Sequence, residues 1–256
     1  MKITIIPKTK SREPFLELYP PKLANEFLPD WYKEMELGSR KASWIRHHLG
    51  DDYADERDIG KGYTAKKCPA IQDVITSGIV IPLWGKMYIG HEYDDEGKPI
   101  ETHYAFTGDQ FTGKKSMSIS TNEHHHITTH NPYQTEYMDV GTRVDGAILK
   151  IELPYKIIVP KGYNIFYSDP FYHFRNDIRC LTGMVEADKW GYITFPFSIE
   201  NLECSIEPNT PLIHALIYKR EEKLELETRA GTEKEYKDIE LDIMDFYLKE
   251  KDYRKL

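Results

Sequence analysis

The chain has 256 residues, 40% of them hydrophobic and 30% charged, with a formal net charge of −8. That composition predicts a folded protein with a sizeable core rather than a disordered chain. The acidic balance argues against non-specific binding to a nucleic-acid backbone, which needs clustered lysine and arginine to displace counterions.

In chain order, residues 2–6 alternate and predict a first strand. The opening MKITIIPKTK has too short an apolar run, and no cleavage-like site, for a secretory signal. The segment KLANEFLPDWYKEM places Leu23, Phe27 and Trp31 on one side at helical spacing, with Pro29 interrupting the ladder, so a broken helix is expected. Residues 39–62, rich in Asp, Arg and Gly, read as a long surface loop. Pro69 opens a helix and Gly78 ends it. The apolar run of residues 79–84 is a buried strand, continued by residues 86–89. DDEGK at residues 94–98 is a hairpin-type turn, because glycine accepts the positive φ that such turns need. Strands are expected at residues 102–106 and 116–120.

Residues 145–220 carry the densest pattern. Short β-branched and aromatic runs are cut by turns at residues 160–163 (Pro-Lys-Gly-Tyr) and 209–211 (Asn-Thr-Pro), which is the signature of a compact all-β unit. Beyond Arg220, residues 222–229 read as one more strand. Ile239, Ile243, Phe246 and Tyr247 then recur at helical spacing and predict a C-terminal amphipathic helix. The expectation is a single β-rich domain over residues 1–231, with its core in 145–220, followed by a helix over 232–256.

Cys68, Cys180 and Cys204 are far apart, odd in number and without a CxxC motif, which implies reduced thiols in a cytoplasmic setting. No apolar stretch approaches the ~18 residues a membrane helix needs. Walker-type and GxGxxG loops are absent, which disfavours ATPase and dinucleotide chemistry.

Two sites are candidates. The first is histidine-rich: Asn-Glu-His-His-His-Ile-Thr-Thr-His at residues 122–130. Imidazole is a common ligand for zinc, iron, copper and nickel. Extended, the segment sets His124 and His126 on one face; helical, it sets His126 and His130 one turn apart. Either pair is a candidate for a divalent metal, although the spacing fits no specific motif. A polar loop explains the same residues.

The second lies in the β segment. TAKKCPAIQDVITSGIVIPLW, VPKGYNIFYSDP and the stretch from LTGMVEADKW to LIHALIYKRE resemble an uncharacterised family of tailed phages and some bacteria. That resemblance implies a phage setting and no defined activity. Residues 157–217 are also similar to the core of the dUTPase and dCTP deaminase superfamily, a β-clip fold. There a Pro-x-Gly-Tyr turn precedes a Ser-containing phosphate loop and a Gly-Val-Ile-Asp-x-Asp-Tyr-x-Gly hairpin. Here the hairpin position reads Gly-Met-Val-Glu-Ala-Asp-Lys-Trp-Gly at residues 183–191.

The resemblance implies a mainly β fold with a β-clip or barrel-like core. It places Glu186 and Asp188 at the catalytic acids, and Tyr163, Ser168, Lys189, Trp190 and His214 around a nucleotide-like ligand. It also implies self-association, a trimer in the first instance. Glu186 is one methylene longer than the family's aspartate, Lys189 replaces its tyrosine, and Asp169 adds an acid beside the phosphate loop. The function expected is a non-enzymatic or catalytically altered binding protein, for a nucleotide-like molecule or in virion assembly. The alternative is a diverged nucleotide hydrolase or a metal-dependent enzyme. The tight group Tyr163, Phe166, Tyr167, Phe171, Tyr172 and Phe174 reads as core, as a subunit interface or as a platform for a base or sugar.

Overall fold

In the computed structural model, residues 1–35, 48–49, 64–96, 99–107, 127–130, 148–190, 193–199, 203–220 and 226–248 are described. In chain order the elements are β1 (Thr4–Pro7), α1 (Glu13–Leu18), β2 (Lys22–Leu23), α2 (Asp30–Glu34), α3 (Pro69–Thr76), β3 (Ile79–Pro82), β4 (Lys86–Tyr93) and β5 (Pro99–Thr107). They continue with β6 (Ile127–Thr129), β7 (Ile148–Glu152), β8 (Tyr155–Ile158), β9 (Tyr163–Ser168), β10 (Ile178–Cys180) and β11 (Gly183–Val185). Last come β12 (Thr194–Ile199), β13 (Cys204–Ile206), β14 (Pro211–Lys219) and α4 (Glu233–Leu248). The fold is mainly β, with a C-terminal helix.

Two compact units form: Met1–Phe27 with Ser77–Glu221, and Leu28–Thr76 with Glu222–Leu256. This division differs from the expected single domain over 1–231. The intervening segment of residues 28–76 falls with the C-terminal segment, because its described elements are helices that add no strand to the sheets.

All the described strands lie in the first unit, where among the described residues they form four antiparallel sheets: β1-β8, β10-β12-β7-β6, β11-β9-β14-β3-β2 and β13-β4-β5. Among the described residues every sheet is open, so no closed barrel forms. Patterning explains the burial. In β8, Tyr155 and Ile157 point inward while Lys156 and Ile158 point out, the period of two expected of a half-buried strand. By contrast β3, between β14 and β2, is buried on both faces and is accordingly one apolar run, Ile-Val-Ile-Pro. One core unites the sheets through Trp84, Leu149, Ile151, Ile165, Phe195 and Ile213, among others. Each such side chain contributes about 1.5–3 kcal/mol by leaving water.

The predicted turns are present. Gly162 has φ +85° in the turn before β9, Asn209 has φ +65° before β14, and Gly78 has φ +78° where the chain enters β3. The Asp94 carboxylate accepts from Glu96 N at 3.0 Å in the turn after β4. One expectation fails. Residues 183–191 do not form a hairpin, since β11 pairs with β9 while the next strand, β12, pairs with β7 and β10. The cause is local. Glu186 O accepts from both Lys189 N (2.9 Å) and Trp190 N (3.0 Å), and this tight turn leads the chain off the sheet.

In the second unit α2 begins directly after Pro29, as the interruption predicted, but Leu23 belongs to strand β2 of the first unit rather than to a helix. Tyr32 is buried, with Lys66 Nζ 5.9 Å from its ring centre. Helix α4 starts with a reciprocal cap: Thr232 Oγ1 accepts from Glu235 N (3.3 Å), and Glu235 Oε2 accepts from Thr232 N (2.7 Å). Leu226 to Arg229, expected as part of a strand, are not in one. Among the described residues no helix is long and apolar enough to cross a membrane. Residues 116–120 lie outside the described residues, as does most of 39–62.

Candidate functional site

The predicted site residues fall into two groups at opposite ends of one strand pair. The first surrounds the start of β9. Asp188 accepts from Gly162 N at 2.8 Å and from Arg220 Nη2 at 3.0 and 2.8 Å. Arg220 Nη1 reaches Glu186 Oε2 at 3.2 Å and Asn164 Oδ1 at 3.2 Å, and Arg220 N donates to Gly162 O at 2.6 Å. Lys189 Nζ makes a second ion pair with Glu186. One arginine therefore holds both acids and closes the Gly162 turn with its own backbone. Tyr163, one residue on, packs against the core, and the Trp190 side chain stands 65% exposed.

This geometry decides the chemistry of Asp188. The Arg220 guanidinium, with help from the Gly162 N–H, holds its carboxyl at about 2. An acid that weak in affinity for protons is a poor general base at neutral pH.

The second group lies at the far end of β9. In the β9–β14 register Ser168 faces His214, five pairs from Tyr163 and Lys219, which is about 17 Å along the strands. Ser168 and His214 are thus brought together, and Glu186 and Asp188 are not brought to them. Ser168 Oγ donates to Asp169 O at 2.9 Å. The Asp169 carboxylate, raised by burial, accepts from Cys180 N at 2.6 Å. His214 is 2% exposed; its Nε2 donates to Ser77 O at 2.7 Å, and the Phe171 ring lies 4.8 Å away. These side chains tie strands and turns to one another.

Burial, only partly offset by the Ser77 bond, lowers the His214 pKa. The unfolded chain therefore takes up its proton first. Stability from this group is present above about pH 6.5, the unfolded value, and is lost as pH falls below it. Unfolding temperatures measured across this range are expected to fall less steeply on acidification for His214→Gln than for the parent. Equal slopes would show that His214 binds its proton equally in both states.

Between β9 and β10, two members of the aromatic group read from the sequence take a backbone form that the sequence did not disclose. Tyr172 and Phe174 hold left-handed backbone angles, φ 62° and 51°, which are unfavourable for aromatic residues. Their rings meet edge to face at 6.0 Å, and Phe174 is 74% exposed. Arg175 fixes the loop. Its Nε and Nη2 each donate to the Asp177 carboxylate at 2.9 Å, and its Nη1 donates to Pro211 O at 2.9 Å. No glycine or asparagine marks these two positions, so the sequence singled out the rings as part of an aromatic group but not their left-handed backbone. The Arg220 latch was also missed; its only trace is a charged residue ending an apolar strand.

The histidine cluster is divided. His124 and His126 lie outside the described residues. The strand at Ile127–Thr129 removes the helical alternative in which His126 and His130 stand one turn apart. His130 N donates to Ile148 O at 2.7 Å. Among the described residues no group of three His, Cys, Asp or Glu is placed to hold a metal ion. All three cysteines are free thiols; burial pushes Cys180 up to about 12 and Cys204 up to about 11.

These observations define an open-sheeted, mainly antiparallel β protein whose acidic pair is neutralised and whose most prominent exposed feature is a strained aromatic loop. No family model matches the chain, and no curated protein or solved structure is similar to it at a significant level.

Proposed function

We propose that this chain is a non-enzymatic binding protein that acts in assembly, joining copies of itself through the Tyr172–Phe174 loop. The observation that carries this reading is the rigid display of two aromatic rings on a backbone they disfavour. Strain of that kind persists only where the surroundings over-determine it, and it concentrates at binding sites. Exposed aromatic anchors on a fixed mount are also the residues that dominate protein interfaces. The engagement of Glu186 and Asp188 by Arg220 supports a role without water activation. The resemblance to a tailed-phage family supports a setting in the host cytoplasm or the virion, and the β-clip resemblance supports a trimer.

The test is sedimentation velocity at micromolar concentration. The parent chain is expected to form a closed oligomer, and Phe174→Asn to be monomeric. Asparagine tolerates the left-handed region, so the variant should be as stable as the parent or up to about 1 kcal/mol more so. A monomeric parent would refute the proposal. A thermal-shift screen with nucleotides supplies the other arm: stabilisation by one of them, lost in Glu186→Gln, would favour the ligand-binding reading instead.

A further inference from the structure

Helix α4 begins on a fixed mount. Its reciprocal Thr232–Glu235 cap is joined by Arg229, whose Nη1 and Nη2 donate to the Glu235 carboxylate at 3.0 and 2.7 Å. Gly231 N donates to the Tyr236 hydroxyl at 3.0 Å, which lays the ring so close to Gly231 that an added Cβ there would stand 2.9 Å from it. Beyond this mount the helix is bare. Every residue from Tyr236 to Asp242 is exposed, including Tyr236 at 51% and Ile239 at 55%. About two turns open on every side are unusual, because most helical stability comes from packing an apolar face.

The faces of these turns differ in chemistry. At about 100° per residue, Tyr236 and Ile239 share one face, and Ile243 and Phe246 continue that spacing in the sequence. Glu233 and Glu240 border this face on one side, and Glu235 and Asp242 on the other. Lys234 and Lys237 lie farther round. The apolar stripe therefore has acids along both borders. Arg229 matches Glu235, while among the described residues Glu233, Glu240 and Asp242 are in no ion pair.

Borders of this kind select a partner. In paired helices the residues beside the seam meet across it, so two copies of α4 would set acid against acid in either orientation. A nucleic-acid backbone and an anionic lipid surface are repelled on the same ground. A helical segment with an apolar seam bordered by lysine or arginine is complementary in both respects. We propose that α4 is a docking site for a basic amphipathic helix of another protein, seated on Tyr236 and Ile239 and bordered by Glu233, Glu240 and Asp242. The capped start holds the first turn in its bound form, which reduces the ordering cost of association. This site is independent of the Tyr172–Phe174 loop.

The experiment titrates the full chain into three labelled synthetic peptides and reads fluorescence anisotropy. The first peptide has a leucine seam at heptad spacing with lysine at the bordering positions. The second keeps the seam with glutamate at the borders, and the third scrambles the first. The first is expected to bind, about ten-fold more weakly when salt is raised from ~50 to ~500 mM, and at least about ten-fold more tightly than the other two. Ile239→Ser, a change at an exposed position, should abolish binding while the unfolding temperature changes little. The double reversal Glu240→Lys with Asp242→Lys should favour the glutamate-bordered peptide instead, a result that loss of folding could not produce. No binding of the first peptide would overturn the proposal. Equal binding of the scrambled peptide would do the same, by reducing the effect to general attraction to a chain of net charge −8. An oligomer of the parent dissolved by Ile239→Ser but not by Phe174→Asn would also overturn it, since α4 would then pair with itself.

Discussion

Replacing Gly78 with alanine is expected to lower stability by about 4 kcal/mol or more, in the range reserved for severe backbone conflicts. A methyl group there would stand 2.2 Å from Ala215 O and 3.1 Å from Ala215 C, both backbone atoms of β14. The left-handed φ of +78° adds about 1–2 kcal/mol. Neither neighbour can yield. Gly78 O accepts from Ala24 N at 3.1 Å, Ser77 O accepts from His214, and Ala215 is paired with both Ile79 and Tyr167. Two other glycines provide the controls. Gly162 has φ +85° with open space around it, so alanine should cost only the backbone term. Gly183 has open space and an ordinary φ, so alanine should fall within about 0.5 kcal/mol of the parent. Urea midpoints for the three variants check the order; a Gly78→Ala protein as stable as Gly183→Ala would contradict the close approach of β3's entry to β14.

Trp84→Ala is expected to cost about 3–5 kcal/mol, a large share of the ~5–15 kcal/mol that holds a typical domain together. Trp84 is fully buried and touches Phe106 and Tyr155, so its removal empties the space between two sheets. Trp84→Phe keeps most of the volume and should cost well under half as much. Circular dichroism during urea unfolding separates the two. Equal midpoints for alanine and phenylalanine would mean that the neighbouring rings close over the gap.

Much of this architecture was legible because it is written in short-range patterns. The alternation in β8, the unbroken apolar run of β3, the helix opened by Pro69 and the turns at Gly162 and Asn209 all depend on a residue and its immediate neighbours. The division into two units was not legible, since none of its three boundaries carries a run of Gly, Pro or Ser. The site was read less well. Glu186 and Asp188 were selected as acids free to act on a ligand, yet their state is set by Arg220, 32 residues beyond Asp188. His214 drew notice as a polar residue in an apolar strand; its use as a donor to Ser77 O depends on a contact across 137 residues. Tyr172 and Phe174 oppose their local backbone preference, so only the tertiary mount provided by Arg175 explains them.

The route of the chain has its own consequence. Residues 1–27 enter two sheets, through β1 beside β8 and β2 beside β3, and only then does the sequence leave for the second unit, returning at Ser77. A nick at any described residue between Leu28 and Thr76 would thus cut the sequence without cutting a sheet. The fragments would stay joined by the ladders of Thr4–Pro7 and Lys22–Leu23. Conversely, the points of departure and return lie close together, as Ala24 N reaches Gly78 O at 3.1 Å. A short linker from Phe27 to Ser77 would excise residues 28–76 and spare the described strands, which makes this the natural place to split the protein into complementing halves or to insert a reporter domain.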